Sequence, residues 1–243
     1  MHGEDKQFGG EIVIQNRFFK WLDNFWYHYK WTVIVVTFFL FVGIVCLAQC
    51  SSRETTDLTV TYAGGFLFDE EERDALANAL QSVSPAKKQG EGNMSVAINP
   101  YSIFTEEELK ALFTNEKGEF NVYGYNTAKA QTQDQFSTLG NFVKTGETAV
   151  FFVSPMVYEE LNLQKLAQPL SNLYETIPAN AYDTHAVYLK DTAFYQYFEA
   201  IQFLPEDTLI VILQPLVFGA SSNSETYASF LEFYQNIVNF QAP

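Results

Sequence analysis

Cysteine is nearly absent from this chain of 243 residues, which has only two, Cys46 and Cys50. Both lie within or at the edge of one long apolar run near the N-terminus. The remainder of the chain therefore cannot be held by a disulfide, and it cannot form a cysteine-based metal site. A domain of about 190 residues buries enough apolar surface to fold without such cross-links.

Basic side chains are also scarce: 14 lysines and arginines stand against 29 aspartates and glutamates, which gives a net charge of −15. The first 50 residues are balanced, so the 25 acidic and 10 basic side chains that follow carry the whole excess. So acidic a surface repels nucleic acid phosphates and anionic headgroups. We therefore expect no nucleic-acid partner, whereas a cation or a basic protein fits the charge.

The chain lacks the common signatures of catalysis and of metal or phosphate binding. It has no His-Glu-x-x-His, Gly-x-Ser-x-Gly, Walker, Gly-x-Gly-x-x-Gly or Cys-x-x-Cys motif. His185 lies near Asp183 and could serve a serine nucleophile, but a lone histidine in a strand is much more often structural. Glu159 and Glu160 are adjacent on a predicted helix and therefore point apart. The sequence predicts no catalytic residue, no metal ligand and no cofactor.

One long uncharged run, residues 31–52, is the clearest positive signal. It reads WTVIVVTFFLFVGIVCLAQCSS, and about 20 apolar residues of helix cross a bilayer core. We predict a transmembrane helix over residues 31–50, preceded by an arm of residues 1–30. A linker, residues 51–56, then leads to one folded domain over residues 57–243.

The charges that flank the run predict its orientation. Arg17, Lys20 and Lys30 precede it, whereas only Arg53 follows it closely. Because positive charge near a membrane favours the cytoplasmic side, the asymmetry predicts a single-pass cell-membrane protein. Its N-terminus would be cytoplasmic and its C-terminal domain extracytoplasmic.

Aromatic side chains crowd the N-terminal boundary of the run. Tryptophan and tyrosine prefer the headgroup layer, and we assign Trp21, Trp26, Tyr27 and Trp31 to the membrane interface. The apolar spacing around them also predicts a short helix that lies on, or enters, this interface.

A cleaved secretory signal is the alternative to an uncleaved anchor. Its apolar region is typically about 7–15 residues long, and the run here is longer. The sequence LAQC, residues 47–50, is similar to the lipobox of bacterial lipoproteins, in which the cysteine is lipidated. Gln49 stands where that pattern has a small residue. We favour the anchor, and both alternatives tether the domain outside the cell.

Strand and helix patterns alternate beyond the run. Five strands are predicted, over residues 58–62, 94–98, 148–153, 185–189 and 208–213. Helices are predicted over residues 69–83, 106–113 and 128–144, and another follows the Ser-Pro turn at 154–155. Two further helices are predicted, one capped by Asp191 and the last capped by Ser222 or Ser224. This order predicts a single three-layer α/β domain with a largely parallel sheet.

Three stretches resemble the extracellular solute-binding proteins of bacterial uptake systems. They are the strand at 58–62 with its helix, residues 148–170, and residues 207–216 followed by 223–238. The layout also resembles uncharacterised single-pass envelope proteins of Gram-positive anaerobes, which have a similar aromatic WYHYKW entry to the membrane. Solute-binding proteins trap ligand between two lobes, and this chain has room for one. The resemblance therefore implies a solute-binding-like fold without hinge-driven capture.

The fold predicts where a ligand would bind. Open α/β sheets bind ligands at the carboxyl ends of their parallel strands, here residues 63–65, 99–101 and 154–155. We name Gly64, Gly65, Tyr101 and Ser154 as ligand-binding candidates, because glycine allows close backbone approach, tyrosine can stack and serine can hydrogen-bond. The alternative is that these are ordinary strand-to-helix turns.

Together these features predict a membrane-anchored extracytoplasmic binding or interaction module without catalysis. Its partners would be the lipid bilayer and another membrane or envelope protein, with a small-molecule ligand left open. One alternative is the substrate-binding component, lipid-anchored or not, of a solute uptake system. An envelope hydrolase without a recognised motif is the third hypothesis.

Overall fold

The computed structural model describes residues 17–51, 56–88 and 90–243. Within the first range, side chains are described at position 21 and over residues 25–46. The predicted arm up to residue 16, linker residues 52–55 and the Cys50 side chain lie outside the described part. The chain divides into two compact units, of which the second is Thr56–Pro243.

The first helix, α1, is Arg17–Ser51 and is continuous over 35 residues. Its segment Phe25–Cys46 has a mean hydropathy of 2.0 and none of it is buried, so it is long and apolar enough to cross a membrane. A signal sequence near an N-terminus has the same properties. The predicted interfacial helix is part of α1, because neither proline nor glycine interrupts residues 17–42.

Strands alternate with helices in the second unit. The strands are β1 Leu58–Gly64, β2 Val96–Ser102, β3 Val150–Val153, β4 Ala186–Tyr188 and β5 Leu209–Ile212. The helices are α2 Glu70–Ser82, α3 Glu106–Leu112, α4 Val122–Val143, α5 Pro155–Glu160, α6 Ala193–Tyr197 and α7 Ser224–Val238. The prediction of an α/β domain is confirmed.

The five strands form one sheet in the order β2-β1-β3-β5-β4. β1 pairs in parallel with β2 and with β3, whereas β5 is antiparallel to both β3 and β4. The prediction of a largely parallel sheet therefore holds for its centre but not for β5. β5 follows β4 as its antiparallel neighbour, a connection that needs no long crossover helix, and α6 between them has only five residues.

Helices cover both faces of the sheet and make three layers. On one face, α2, α6 and α7 bury Leu80, Phe194 and Phe233 against Val60 and Phe152 of the sheet. The other face packs against α4 and α5, and its core includes Leu139, Val143, Val157, Phe151, Val153 and Val211. The central strand β3 is buried along its whole length, which explains its uninterrupted apolar sequence.

Several element bounds differ from the predicted ones. β2 continues past the predicted end at residue 98 through Pro100, because β2 is an edge strand and its outer side needs no N–H donor. α4 begins at Val122, six residues before the predicted start, with Asn121 as its cap. The cap of α6 is Thr192, not Asp191, and Thr192 accepts a hydrogen bond from the Tyr195 N–H.

The sheet has two ends, which we call its carboxyl edge and its amino edge. The carboxyl edge is where β1, β2 and β3 end, and the amino edge is where they begin. Since β5 is antiparallel to β3, it begins at the carboxyl edge and ends at the amino edge.

Candidate functional site

The switch in strand order lies between the carboxyl ends of β1 and β3, where open α/β sheets form ligand crevices. Gly64 and Ser154 meet there. A Cβ placed on Gly64 would lie 3.3 Å from the Ser154 Cβ and 2.9 Å from the Tyr62 hydroxyl oxygen. The Ser154 N–H donates to the Ala63 carbonyl at 2.9 Å. The protein's own atoms therefore occupy the space in front of Gly64.

Gly65 lies beneath a carboxylate. A Cβ on Gly65 would come within 2.6 Å of a Glu108 carboxylate oxygen. That carboxylate accepts hydrogen bonds from the Thr105 N–H at 2.7 Å and the Thr105 hydroxyl at 2.9 Å, as part of the capping box of α3. Glycine at position 65 thus allows the start of α3 to approach the end of β1.

Tyr62 is the titratable group at the centre of this switch point. Burial raises its pKa first, and the negative charges of Asp207 and Glu108 raise it further. Its ring packs edge-on against Phe68, with centroids 4.9 Å apart, and Phe68 packs in turn against Phe203. The Tyr62 hydroxyl therefore stays protonated in a largely aromatic environment.

Tyr101 and Ser154 have roles within the fold. Tyr101 is half-buried, is paired with Ala63, and lies 6.0 Å from the Phe142 ring of α4. It therefore packs on the face of the sheet opposite Tyr62. The Ser154 hydroxyl accepts a bond from the Val157 N–H at 3.4 Å and caps α5. The structure brings Gly64, Gly65 and Ser154 together but places Tyr101 apart from them.

An open groove of about 590 Å³ lies beside this switch point, between α3, α4 and α5. We call it the α4 groove, and its lining is mostly apolar where the residues are buried or half-buried and polar where they are exposed. The lining residues are Ile103, Phe104, Thr105, Glu106, Thr132, Gln133, Phe136, Ser137, Met156 and Glu160. A smaller cavity of about 180 Å³ adjoins it under α3 and shares Phe104 and Thr132.

Carboxylates stand at two places on the rim of the α4 groove. Glu106 is paired with Lys129 and lies 3.8 Å from the Lys110 ammonium. Glu160, at the end of α5, is exposed and forms no salt bridge among the described residues. The groove therefore combines half-buried apolar side chains with one carboxylate that has no cationic partner in the described part of the chain.

None of the four predicted ligand-binding residues lines the α4 groove. Phe104 follows β2 by two residues and Met156 follows β3 by three, so the α4 groove and the predicted residues lie at the same edge of the sheet. Phe136 and Thr132 could not be placed there from sequence, because their position depends on how α4 crosses the sheet.

His185 and Asp183 form a turn rather than a catalytic pair. The Asp183 carboxylate accepts the backbone N–H groups of His185 and Ala186, at 2.7 and 2.9 Å, and the Tyr158 hydroxyl at 2.8 Å. Burial and then this bond to Asp183 raise the pKa of Tyr158. The imidazole Nδ1 lies 2.8 Å from the Thr184 hydroxyl. This arrangement anchors the start of β4.

The predicted interface residues Trp21, Trp26, Tyr27 and Trp31 all lie on α1 with exposed rings. Trp21 stacks on Phe25, with ring centroids 5.6 Å apart. Within the described part of the chain, no group of three or more His, Cys, Asp or Glu side chains is arranged to hold a metal ion.

Comparison of the chain with protein-family models, with curated proteins and with solved structures found no match. The resemblance to solute-binding proteins therefore stays a prediction from sequence. The fold class that the described residues define is a mixed α/β domain preceded by one apolar helix.

Proposed function

We propose that this protein is a membrane-anchored extracytoplasmic module that binds a ligand or a segment of a partner protein, without catalysis, in the α4 groove. α1 is its anchor, with the N-terminus in the cytoplasm. The observation that carries the proposal is the groove itself, an open site at the carboxyl edge beside the switch point. Its volume falls within the range of ligand sites, about 300–1,000 Å³.

The lining indicates the chemistry of the ligand. Phe104, Phe136 and Met156 are half-buried and offer apolar surface to a bound group. Met156 adds a flexible thioether, a side chain that adapts to differently shaped partners. The body of the ligand is therefore apolar, such as an aromatic or aliphatic side chain.

The charge on the rim indicates a positive group next to that apolar body. Glu160 is exposed and has no cationic partner among the described residues, and the second unit is strongly acidic as a whole. A carboxylate on the rim attracts a cation and repels an anion. The ligand class is an apolar group beside an ammonium or guanidinium, as in an aromatic residue followed by lysine or arginine.

The test uses the methionines of the chain, and of the two that the structure describes, Met94 and Met156, only Met156 lines the groove. The full chain, in a mild detergent and labelled with ¹³C on the methionine methyls, is titrated with the capped dipeptide Ac-Phe-Lys-NH₂. The Met156 methyl resonance should shift in a saturable way, and the Met94 resonance, outside the groove, should not.

Matched controls separate specific binding from general electrostatic attraction. Ac-Phe-Glu-NH₂ should bind more weakly, because its carboxylate meets Glu160. Glu160→Gln should weaken binding of the lysine peptide by about 1.5- to 5-fold, roughly the effect of one exposed ion pair, whereas Glu232→Gln on α7 should leave it unchanged. Equal shifts of Met94 and Met156, or no shift of either, would contradict the proposal.

A further inference from the structure

A short apolar tip projects from the segment that joins β5 to α7. The tip is residues 215–218, with the sequence Pro-Leu-Val-Phe. The side chains of Val217 and Phe218 are 83% and 75% exposed, and in the described part of the second unit only Tyr123 is as exposed among large apolar side chains. Two neighbouring apolar side chains in water favour contact with an apolar phase.

The base of the tip is held firmly by backbone contacts. The Gln214 N–H donates to the Leu166 carbonyl at 2.7 Å, and the Ser221 N–H donates to the Gly146 carbonyl at 2.8 Å. Ser221 is buried, and its hydroxyl accepts the Leu216 N–H at 3.4 Å. The exposure of Val217 and Phe218 is therefore a property of a fixed loop.

The tip lies at the amino edge of the sheet, which is also where the chain enters the second unit. β5 ends there, and the Leu213 N–H donates to the Ala149 carbonyl at 2.8 Å, just before β3. β1 begins at the same edge with Leu58. About ten residues separate Leu58 from the end of the apolar span at Cys46, and an extended chain covers at most about 3.5 Å per residue. At full extension these residues span about 40 Å, so chain connectivity limits how far this edge can lie from a bilayer crossed by α1.

Basic side chains flank the tip. Lys144 directly precedes the turn at residues 145–146 that holds the base, and Lys165 directly precedes Leu166. Both lysines are exposed, and one exposed acid, Glu147, lies next to the same turn. The first turns of α2 and α3, at the carboxyl edge, carry six glutamates. Lysines beside an apolar tip suit a membrane surface, and the acidic edge does not.

From these observations we propose that Val217 and Phe218 insert into the interfacial layer of the membrane that α1 crosses. The amino edge of the sheet then rests on the lipid, and the carboxyl edge with its α4 groove faces away from it. This inference rests on the proposed membrane anchoring by α1. The partner of the apolar tip is the lipid surface. Lys144 and Lys165 lie close to the lipid headgroups in this arrangement.

The test places the full chain in phospholipid nanodiscs, part of whose lipid carries a gadolinium headgroup. Val217→Met adds a ¹³C-labelled methyl at the tip. The methyl of Met156, at the carboxyl edge, serves as the internal reference. The resonance added by Val217→Met should lose most of its intensity to paramagnetic broadening, and the Met156 resonance should keep it. Phe218→Ser in the same background should restore intensity at the tip, and Tyr123→Ser, at an equally exposed position on α4, should not.

A second readout reports on the anchor separately. All three tryptophans lie on α1, and brominated lipid should quench their emission if α1 crosses the bilayer. Quenched tryptophans with equal broadening at the tip and at Met156 would overturn the docking of the tip while leaving the anchor in place. Unquenched tryptophans would overturn the anchor and the docking together.

Discussion

Asp57, just before β1, makes three hydrogen bonds with Ser95, just before β2, and so joins the starts of the two strands. Its carboxylate accepts the Ser95 N–H at 2.8 Å and the Ser95 hydroxyl at 2.9 Å, and its own N–H donates to that hydroxyl at 3.0 Å. The Lys87 ammonium lies 3.4 Å from the carboxylate. These contacts, and above all the Ser95 N–H, lower the pKa of Asp57.

This lowered pKa predicts an acid-sensitive contribution to stability. An unfolded aspartate titrates near pH 3.9, so the unfolded chain takes up a proton at this position before the folded chain does. The contribution is complete above about pH 4 and is lost as pH falls through the folded pKa of Asp57. Asp57→Asn should therefore lower the free energy of unfolding at pH 7, and by less at pH 3.

Urea denaturation of the full chain in detergent, followed by circular dichroism at several pH values, measures this difference. Ser95→Ala removes the hydroxyl but keeps the N–H donor, so it should reproduce only part of the effect. A difference between the wild-type chain and Asp57→Asn that stays constant from pH 7 to pH 3 would refute the assignment.

Two glycines with positive φ meet backbone to backbone beneath the apolar tip. Gly146 has a φ of 68°, and Gly219 has a φ of 81° with a ψ of −172°. A Cβ on Gly219 would clash with the Thr145 carbonyl oxygen, which belongs to backbone and cannot rotate away. Glycine is required there by conformation and by space.

Gly219→Ala should therefore lower the free energy of unfolding by about 2 kcal/mol or more, the cost of a backbone conformation that is nearly restricted to glycine. Gly140→Ala is the matched control with the opposite sign. Gly140 lies inside α4, where a Cβ would meet only Leu161 at 3.6 Å, and alanine should add about 1 kcal/mol. Urea denaturation of both variants decides the prediction, and a Gly219→Ala chain as stable as wild type would disprove it.

At the scale of elements, the start of α7 shows how caps are chosen. Asn223 is the cap, and its side-chain oxygen accepts the N–H groups of Glu225 at 2.9 Å and Thr226 at 3.2 Å. The sequence analysis expected Ser222 or Ser224 in this role. Serine and asparagine cap equally well, so neighbouring candidates cannot be separated by residue type.

Asn223→Ala should destabilise the folded chain by about 1 kcal/mol, because two N–H groups lose their acceptor. Ser224→Ala changes the first residue of α7 and should cost no more than about 0.5 kcal/mol. Thermal unfolding of the two variants side by side measures the difference. A larger loss for Ser224→Ala would show that the cap lies elsewhere.

The sequence predicted elements better than their arrangement. The apolar run at residues 148–153 predicted a strand, and the apolar stripe of α7 predicted a helix. Both predictions were possible because hydrophobic periodicity is a local property of the sequence. The direction of β5 depends instead on how the segment between β4 and β5 packs against the sheet, which is not a local property of its sequence. The α4 groove was missed for the same reason, since it exists only where three separate helices meet.

At the scale of the whole second unit, charge is distributed unevenly between the two edges of the sheet. Glutamates gather in the first turns of α2 and α3, where the helix dipoles favour negative charge. Lys87, Lys88, Lys144 and Lys165 lie in segments near the amino edge, the first two paired with Asp57 and Glu225. Acidic residues in the first turns of α2 and α3 thus make the carboxyl edge of the sheet more negative than the amino edge.

The two edge strands of the sheet, β2 and β4, affect whether neighbouring molecules can aggregate by pairing their strands. β2 carries Pro100, which has no N–H to offer a neighbouring strand, and β4 is only three residues long, with Ala181 bridged to Val187 beside it. Both features disfavour the addition of a strand from another molecule. If α1 anchors the protein as proposed, neighbouring molecules confined to one plane meet far more often than molecules in free solution. The two protected edges would then oppose aggregation by strand addition at high surface density.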